Sequence, residues 1–471
     1  MGAEFGLFGL GRVGGNLARN ALSRGLKPRL FDRSAERIGS LRAALASAEG
    51  RFAIDESDFV ASLASPRIIL LSLPAGKAVD EAIERFLPLL SAGDAIVDAG
   101  DSWFRDSERR EVGLAERGIL FAGLGISGSA EDVLQGPAFM AGGGPGFRQA
   151  LMPLLERLCA MGPDGRPCAI WVGPGGAGHF VKMTHNAIEY ADMEILAEAY
   201  HILKSGLRAN REEVRNCFAS WERSEVSSRL LSLSVDVLSK DDADGTPLID
   251  RILDRATQKG SGIRATEYAL ELGVQASTLS EAVFARNLST HKDERVMASA
   301  LLGEHVTRAS GSPASLMDDV RKAVLASKII AYSEGFALLS KASEVEGWSI
   351  DPVAVAHVWR SGALIRGPFL DHVAEAYSLS EDLPSLLHDA RMKILLDQSL
   401  PALRRVVARA IESGLPIPLM TAAVSSFDGQ RSSWLPANLI QALRDRFGGH
   451  GFERVDRPRG EIHFADWEGT S

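Results

Sequence analysis

The chain opens on a pattern that few folds accommodate. An apolar run, Phe5-Gly-Leu-Phe8, leads at once into Gly9-Leu-Gly11-Arg12-Val13-Gly14. Residues 16–24 then have helical character, Gly25 ends that stretch, and 28–31 reads as a second strand. A glycine triplet at this spacing, between a strand and a helix, is the turn over which a dinucleotide pyrophosphate lies. Gly9 permits the tight turn, Gly11 lets the backbone approach the phosphates, and Gly14 allows close packing of helix on strand. The N–H groups at the helix start complement the anion. Strand-like runs recur at 68–73, 95–98 and 118–121, with helical stretches at 77–90 and 106–116 between them. Such alternation predicts a parallel, doubly wound, Rossmann-like α/β domain over 1–176.

Ligands of these sheets lie beyond the carboxyl ends of the strands. The loops placed there are Leu73-Pro74-Ala75, Asp98-Ala-Gly-Asp101-Ser102 and Gly125-Ile-Ser127-Gly128-Ser129. The second strand ends in Asp32-Arg33-Ser34, where an adenosine ribose is read. Asp32 suits a free ribose diol and so NAD, whereas Arg33 and Ser34 suit a 2′-phosphate and so NADP. The residues leave that choice open.

Past residue 177 the strand signals stop. Amphipathic stretches at 182–204, 212–221, 224–237, 278–288 and 315–343 predict an all-α domain over 177–434. A faint internal echo runs through it: Glu198-Ala-Tyr-His-Ile-Leu-Lys204 resembles Glu334-Gly-Phe-Ala-Leu-Leu-Ser340, each with a tryptophan further on (Trp221, Trp359). The segment 435–471 holds one more helix and then a tail with aromatic anchors at Phe452, Phe464 and Trp467. Lacking a visible core of its own, that tail calls for a docking surface, another subunit being one option.

Within the helical half, Gly175-Gly-Ala-Gly-His-Phe-Val-Lys182-Met-Thr-His185-Asn186-Ala-Ile-Glu189-Tyr190 carries the chemistry. Helical spacing puts Lys182, His185, Asn186 and Glu189 on one face, with Tyr190 at its edge. Lys182 and Glu189 stand roughly 10 Å apart along the axis, too far to pair but suited to flank a small molecule. Were the helix inside the protein, those groups would share one space; on a surface they would be an ordinary solvated face. The net charge of −9 and the lack of a basic block argue against nucleic acid as partner. Three cysteines in no ligand pattern suit a reducing compartment. No apolar run approaches the ~20 residues of a membrane span, and Met1 leads straight into fold sequence. A cytoplasmic protein without a membrane partner is expected.

Together these pieces resemble the long-chain 6-phosphogluconate dehydrogenases across essentially all 471 residues. The match rests on 9–16, on Asp98-Ala-Gly-Asp-Ser102, on 178–190, and on Gln258-Lys-Gly-Ser-Gly262. It continues through Glu281-Ala-Val-Phe-Ala-Arg286, 435–441 and Arg444-Asp-Arg-Phe-Gly-Gly-His450. The resemblance implies oxidative decarboxylation of 6-phosphogluconate with NADP, or NAD given Asp32, without a metal. Lys182 is then the general base and Glu189 the general acid. His185 and Asn186, with Asp101, Ser127, Gly128 and Ser129, meet the sugar acid. Tyr190, Lys259, Ser261 and Arg286 gather around its phosphate. Arg444 and His450 come from the tail of the other subunit of a homodimer. Gly9, Gly11, Arg12, Val13, Gly14, Asp32, Arg33, Ser34, Leu73, Pro74, Ala75 and Asp101 hold the dinucleotide.

The chain also departs from the family's usual residues. Asp101 and Asp32 each stand for asparagine, Ser129 for glycine, Pro74 for lysine, Ser261 for threonine, Arg264 for tryptophan and Ala187 for glycine. These leave room for the same reaction on a related phosphorylated sugar acid or hydroxy acid. A non-catalytic dinucleotide-binding derivative would be expected to have lost Lys182 or Glu189, and both are present.

Overall fold

The computed structural model describes residues 2–45, 50–303, 307, 313–380 and 383–469. Seven strands form one sheet: β1 (Phe5–Phe8), β2 (Pro28–Phe31), β3 (Ile68–Leu71), β4 (Ala95–Asp98), β5 (Leu120–Ser127), β6 (Ala138–Gly143) and β7 (Ala169–Gly173). Their order is β2-β1-β3-β4-β5-β6-β7. The winding reverses between β1 and β3, so the crevice beyond these two strands is the expected ligand position. Gly9 follows β1 there, at φ +95, and a Cβ on it would run into the carbonyl of Ser72, just past β3. Phe8, Phe31, Phe59 and Phe86 form the aromatic centre of one face, Phe8 meeting Phe86 edge-on at 5.1 Å.

Two expectations for this half need correction. The sheet is not wholly parallel: β6 runs antiparallel to β5, and β7 parallel to β6. The connection 128–137 is shorter than the dozen or so residues a parallel crossover requires, so the chain can only return beside itself. The strand expected at 118–121 in fact runs on to Ser127. Gly123 and Gly125 weaken its strand signal because they are there to let another backbone approach.

That backbone is the helix Ala177–His201, 25 residues long and followed by a π-helical turn at Ile202–Gly206. Strands β5 and β6 pack against it, as do the helices Ser261–Glu271, Ser277–Thr290 and Pro313–Glu346. Enclosed on several sides, it exposes no residue between Ala177 and Leu196, and Lys182, His185 and Asn186 are buried with its apolar residues. The helix Pro313–Glu346 contains a window long and apolar enough to cross a membrane, contrary to the expectation that no such run exists. Most of that window is buried in the chain's own core.

The internal echo has a structural counterpart. The Glu198 carboxylate accepts hydrogen bonds from the Leu419 and Met420 amides, which open the helix Pro418–Gln430. The Glu334 carboxylate accepts from the Thr278 and Leu279 amides at the start of Ser277–Thr290. Each capped pair lies five and six residues after a glycine, Gly273 or Gly414. The two echoed segments thus use a glutamate at the corresponding position for the same purpose.

The chain divides into two compact units, Met1–Val424 and Ser425–Ser471. The smaller contains the helix Ala437–Gly448 and a two-stranded ribbon, β8 (Phe452–Glu453) with β9 (Ile462–His463). Buried Asp445 organises it, accepting from the Gly451 amide at 2.8 Å and the Trp467 indole at 2.7 Å. Leu439, Ile440, Leu443 and Phe447 remain exposed on its helix.

Candidate active site

Three glycines determine how deep the central helix sits. A Cβ on Gly125 would collide with the Lys182 Cβ, one on Gly123 would fall 2.6 Å from the His179 ring, and one on Gly178 would strike the Gly123 carbonyl. Helix and strand therefore meet backbone to backbone. Gly125→Ala is expected to destabilise the fold by about 1–3 kcal/mol through overpacking and to displace Lys182. Thermal unfolding and turnover measured together check this; normal values for both would show that the close approach does not matter.

Lys182 and Asn186 enter the wall of a cleft of about 310 Å³, together with Asp101, Lys259 and Ser261. Arg264, noted in the sequence as a departure from the family, also lines it, as do His179, Trp103 and Asp106, which were not picked out as site residues. His179, one turn before Lys182, was within reach of the same helical spacing. The Arg264 guanidinium lies over the Trp103 ring at 5.4 Å. The Asn186 side-chain amide donates to Ser261 Oγ at 3.3 Å, at the start of the helix Ser261–Glu271. That helix has Gly260 before it and no side-chain cap, so its first N–H groups and Lys259 together suit a phosphate.

His185 points inward. Its Nε2 is 2.7 Å from Ser127 Oγ, and Ser127 Oγ also accepts from the Leu364 amide at 3.3 Å. Its Nδ1 is 3.2 Å from Asn186 Oδ1 and 3.7 Å from a Glu189 carboxyl oxygen. Burial holds the imidazole well below its ordinary pKa, and the Lys182 charge adds to that. A neutral ring facing the Asn186 oxygen carries its proton on Nδ1, so the Ser127 hydroxyl donates to Nε2. Ser127 and His185 therefore orient Asn186 from behind.

Glu189 is largely buried, with 15% of its side chain exposed. Burial pushes its carboxyl above the ordinary range; Lys182 and Arg286 pull it down, while Asp101 and Asp192 push it up. Glu189 and Tyr190 are not in the wall that Lys182 lines; they continue the same face deeper into the helical half. The Arg286 guanidinium stacks on the Tyr190 ring at 3.7 Å. Ser129 caps the helix Ala130–Gln135 in a reciprocal pair with Asp132, which occupies its hydroxyl.

A second cleft of about 610 Å³ is lined by Gly11, Arg12, Val13, Leu73, Pro74, Ala75, Asp101, Gly128 and Lys259. It shares Ala75, Asp101 and Lys259 with the first. A third, of about 480 Å³, shares Gly11, Arg12 and Arg37 with the second and adds Ser34 and Arg19. Arg37, five residues past Asp32 and 3.6 Å from it, was missed because it stands inside the following helix, beyond the segment in which a ribose is read. Gly9, Gly14, Asp32 and Arg33 stay outside these walls. Asp32 is buried, its two oxygens taken by the Leu10 amide at 2.6 Å and the Ser34 amide at 2.8 Å. Buried Arg110 ties the loops together, pairing with Asp98 at 2.9 Å and Asp80 at 2.8 Å and donating to the Gly76 carbonyl. Arg444 and His450 lie exposed in the smaller unit, Arg444 hydrogen-bonding Gln441 at 3.2 Å.

The family described as the NAD binding domain of 6-phosphogluconate dehydrogenase matches residues 4–173, and its C-terminal domain matches residues 178–467. The chain belongs to the 6-phosphogluconate dehydrogenase family. A decarboxylating 6-phosphogluconate dehydrogenase of Haemophilus influenzae is 42% identical over 99% of this chain and 96% of its own length. The NADP(+)-dependent, decarboxylating enzyme of Bacillus subtilis is 41% identical over 98% and 99%. The 6-phosphogluconate dehydrogenase of Plasmodium falciparum, studied apo and with NADP+ and 6-phosphogluconate, superposes with a TM-score of 0.93 at 33% identity, covering 98% of this chain and 100% of that one. The doubly wound and helical halves are thus the family's fold.

Proposed function

We propose that this dehydrogenase binds NADP and 6-phosphogluconate in the adjoining clefts and yields ribulose 5-phosphate, carbon dioxide and reduced cofactor. The observation that carries the reading is an amine and a carboxyl, Lys182 and Glu189, enclosed on one buried helix face about two turns apart.

The residues fit the cofactor. The helix Arg12–Ser23 has no side-chain cap and no acidic residue in its first turn, leaving its N–H groups to a pyrophosphate. Asp32 spends both oxygens on backbone amides, so Arg33, Ser34 and Arg37 decide the ribose end in favour of a 2′-phosphate. When bound, the nicotinamide accepts the hydride from carbon 3 of the sugar acid. Lys182, as the amine, takes the proton of the carbon 3 hydroxyl. Its ammonium then donates to the new carbonyl while the bond from carbon 1 to carbon 2 breaks, carbon dioxide leaves, and the electron pair forms an enediol. Glu189, whose carboxyl burial pushes above the ordinary range, gives its proton to the carbon that becomes carbon 1 of the product. Asn186 orients the hydroxyls, held by His185 and Ser127. Lys259, Ser261, Tyr190 and Arg286 hold the phosphate. The exposed apolar face of the helix Ala437–Gly448 supports docking on a second subunit, whose Arg444 and His450 complete the phosphate site in a homodimer.

Steady-state kinetics on 6-phosphogluconate with NADP and NAD side by side test this reading. Turnover with a kcat/KM for NADP at least about a hundredfold above that for NAD is expected from charge-assisted phosphate contacts; no turnover with either would sink the assignment. Arg33→Ala should cut kcat/KM for NADP by about tenfold or more and leave NAD nearly unchanged. An equal loss with both cofactors would remove Arg33 from the 2′-phosphate site.

A further inference from the structure

Asp101 lines both clefts, beside Lys182 in one and beside Pro74 and Ala75 in the other. It is exposed, and no hydrogen bond or ion pair engages its carboxylate among the described residues. Its neighbours differ: Asp98 is paired with Arg110 at 2.9 Å, and Asp106 lies 3.5 Å from Arg109. The loop that presents Asp101 is fixed, since Asp98 also accepts from the Gly100 amide at 3.0 Å and the Ser102 hydroxyl at 2.6 Å. A carboxylate held there faces an anionic sugar acid, which is unfavourable unless a ligand brings a compensating positive charge.

Only one reacting group at that junction changes charge in the needed sense. The nicotinamide ring is cationic when oxidised and neutral once it has taken the hydride and its electron pair. We propose that Asp101 makes this site discriminate between the two redox states of the dinucleotide, favouring the oxidised form through the positive charge of its ring. The inference rests on the reading above, that the nicotinamide lies where the two clefts meet. Lys259 lines the same junction with the opposite sign, so the two side chains set the preference from opposite directions. After hydride transfer the attraction to Asp101 is gone, and the reduced cofactor leaves more readily.

Titration calorimetry on the full-length protein, with NADP+ and with NADPH separately, tests the assignment in the wild type, Asp101→Asn and Asp236→Asn, the last an exposed aspartate that lines neither cleft. Asp101→Asn should weaken NADP+ relative to NADPH, moving the ratio of dissociation constants on the order of five- to tenfold for one charge near the ring in a partly wet cleft. Asp236→Asn should leave that ratio unchanged, and added salt should shrink the difference between wild type and Asp101→Asn. An unchanged ratio in Asp101→Asn with both forms still bound overturns the role of Asp101 and leaves the proposed reaction standing, as does an equal shift in Asp236→Asn. A wild type that binds neither form overturns both.

Discussion

Lys182→Met is expected to lower kcat on 6-phosphogluconate by about 10⁴-fold. The substitution removes a base, for which losses of about 10²–10⁴ are usual, and with it the donor that stabilises the carbonyl during decarboxylation. Methionine conserves volume and the contact with Gly125, so the fold should be retained and substrate affinity should fall only severalfold. Turnover followed by the absorbance of reduced cofactor, with thermal unfolding as a control, decides the matter. Activity within tenfold of wild type would strip Lys182 of its role.

Glu189→Gln is expected to cost about 10²–10³-fold in kcat and to change the pH profile. Burial raises the carboxyl of Glu189 above its ordinary range, against the pull of Lys182 and Arg286. The acid must be protonated to act. Its contribution is therefore present below the raised pKa and lost as pH rises through it. The wild type should show that falling limb, and the glutamine variant should not. An identical profile in both would mean that another group supplies the proton.

How much of this was readable in advance depends on the range of the interactions. The glycine turn and its flanking strand and helix are local, and they were legible because each residue's job is decided by its immediate neighbours. The polar face of 182–190 was legible for the same reason, but its burial was not. Burial comes from Gly123 and Gly125, more than fifty residues earlier, which reduce the strand signal of the segment they serve. Strands β6 and β7 escaped notice because both run into glycine, at Gly142-Gly143 and at Gly173, while the pairing of β6 with β5 depends on the length of a connection. Asp32 marks where position stops being a guide. Its place at the end of β2 suggests a ribose ligand, and the partners it has in the structure, the Leu10 and Ser34 amides and Arg37, leave no trace in a side-chain pattern. The tail shows the converse: its organiser, Asp445, gathers amides from residues 451 and 465 that carry no recognisable motif.

In the proposed reaction Lys182 acts at the oxidation and at the loss of carbon dioxide, and Glu189 only after carbon dioxide has left. A rapid-mixing single turnover of Glu189→Gln with NADP and 6-phosphogluconate separates the two. The expected trace is a burst of reduced cofactor of about one equivalent per site at near wild-type rate, followed by slow release of ribulose 5-phosphate. A burst slowed in step with the steady state would contradict it, because Glu189 would then be needed before the hydride moves.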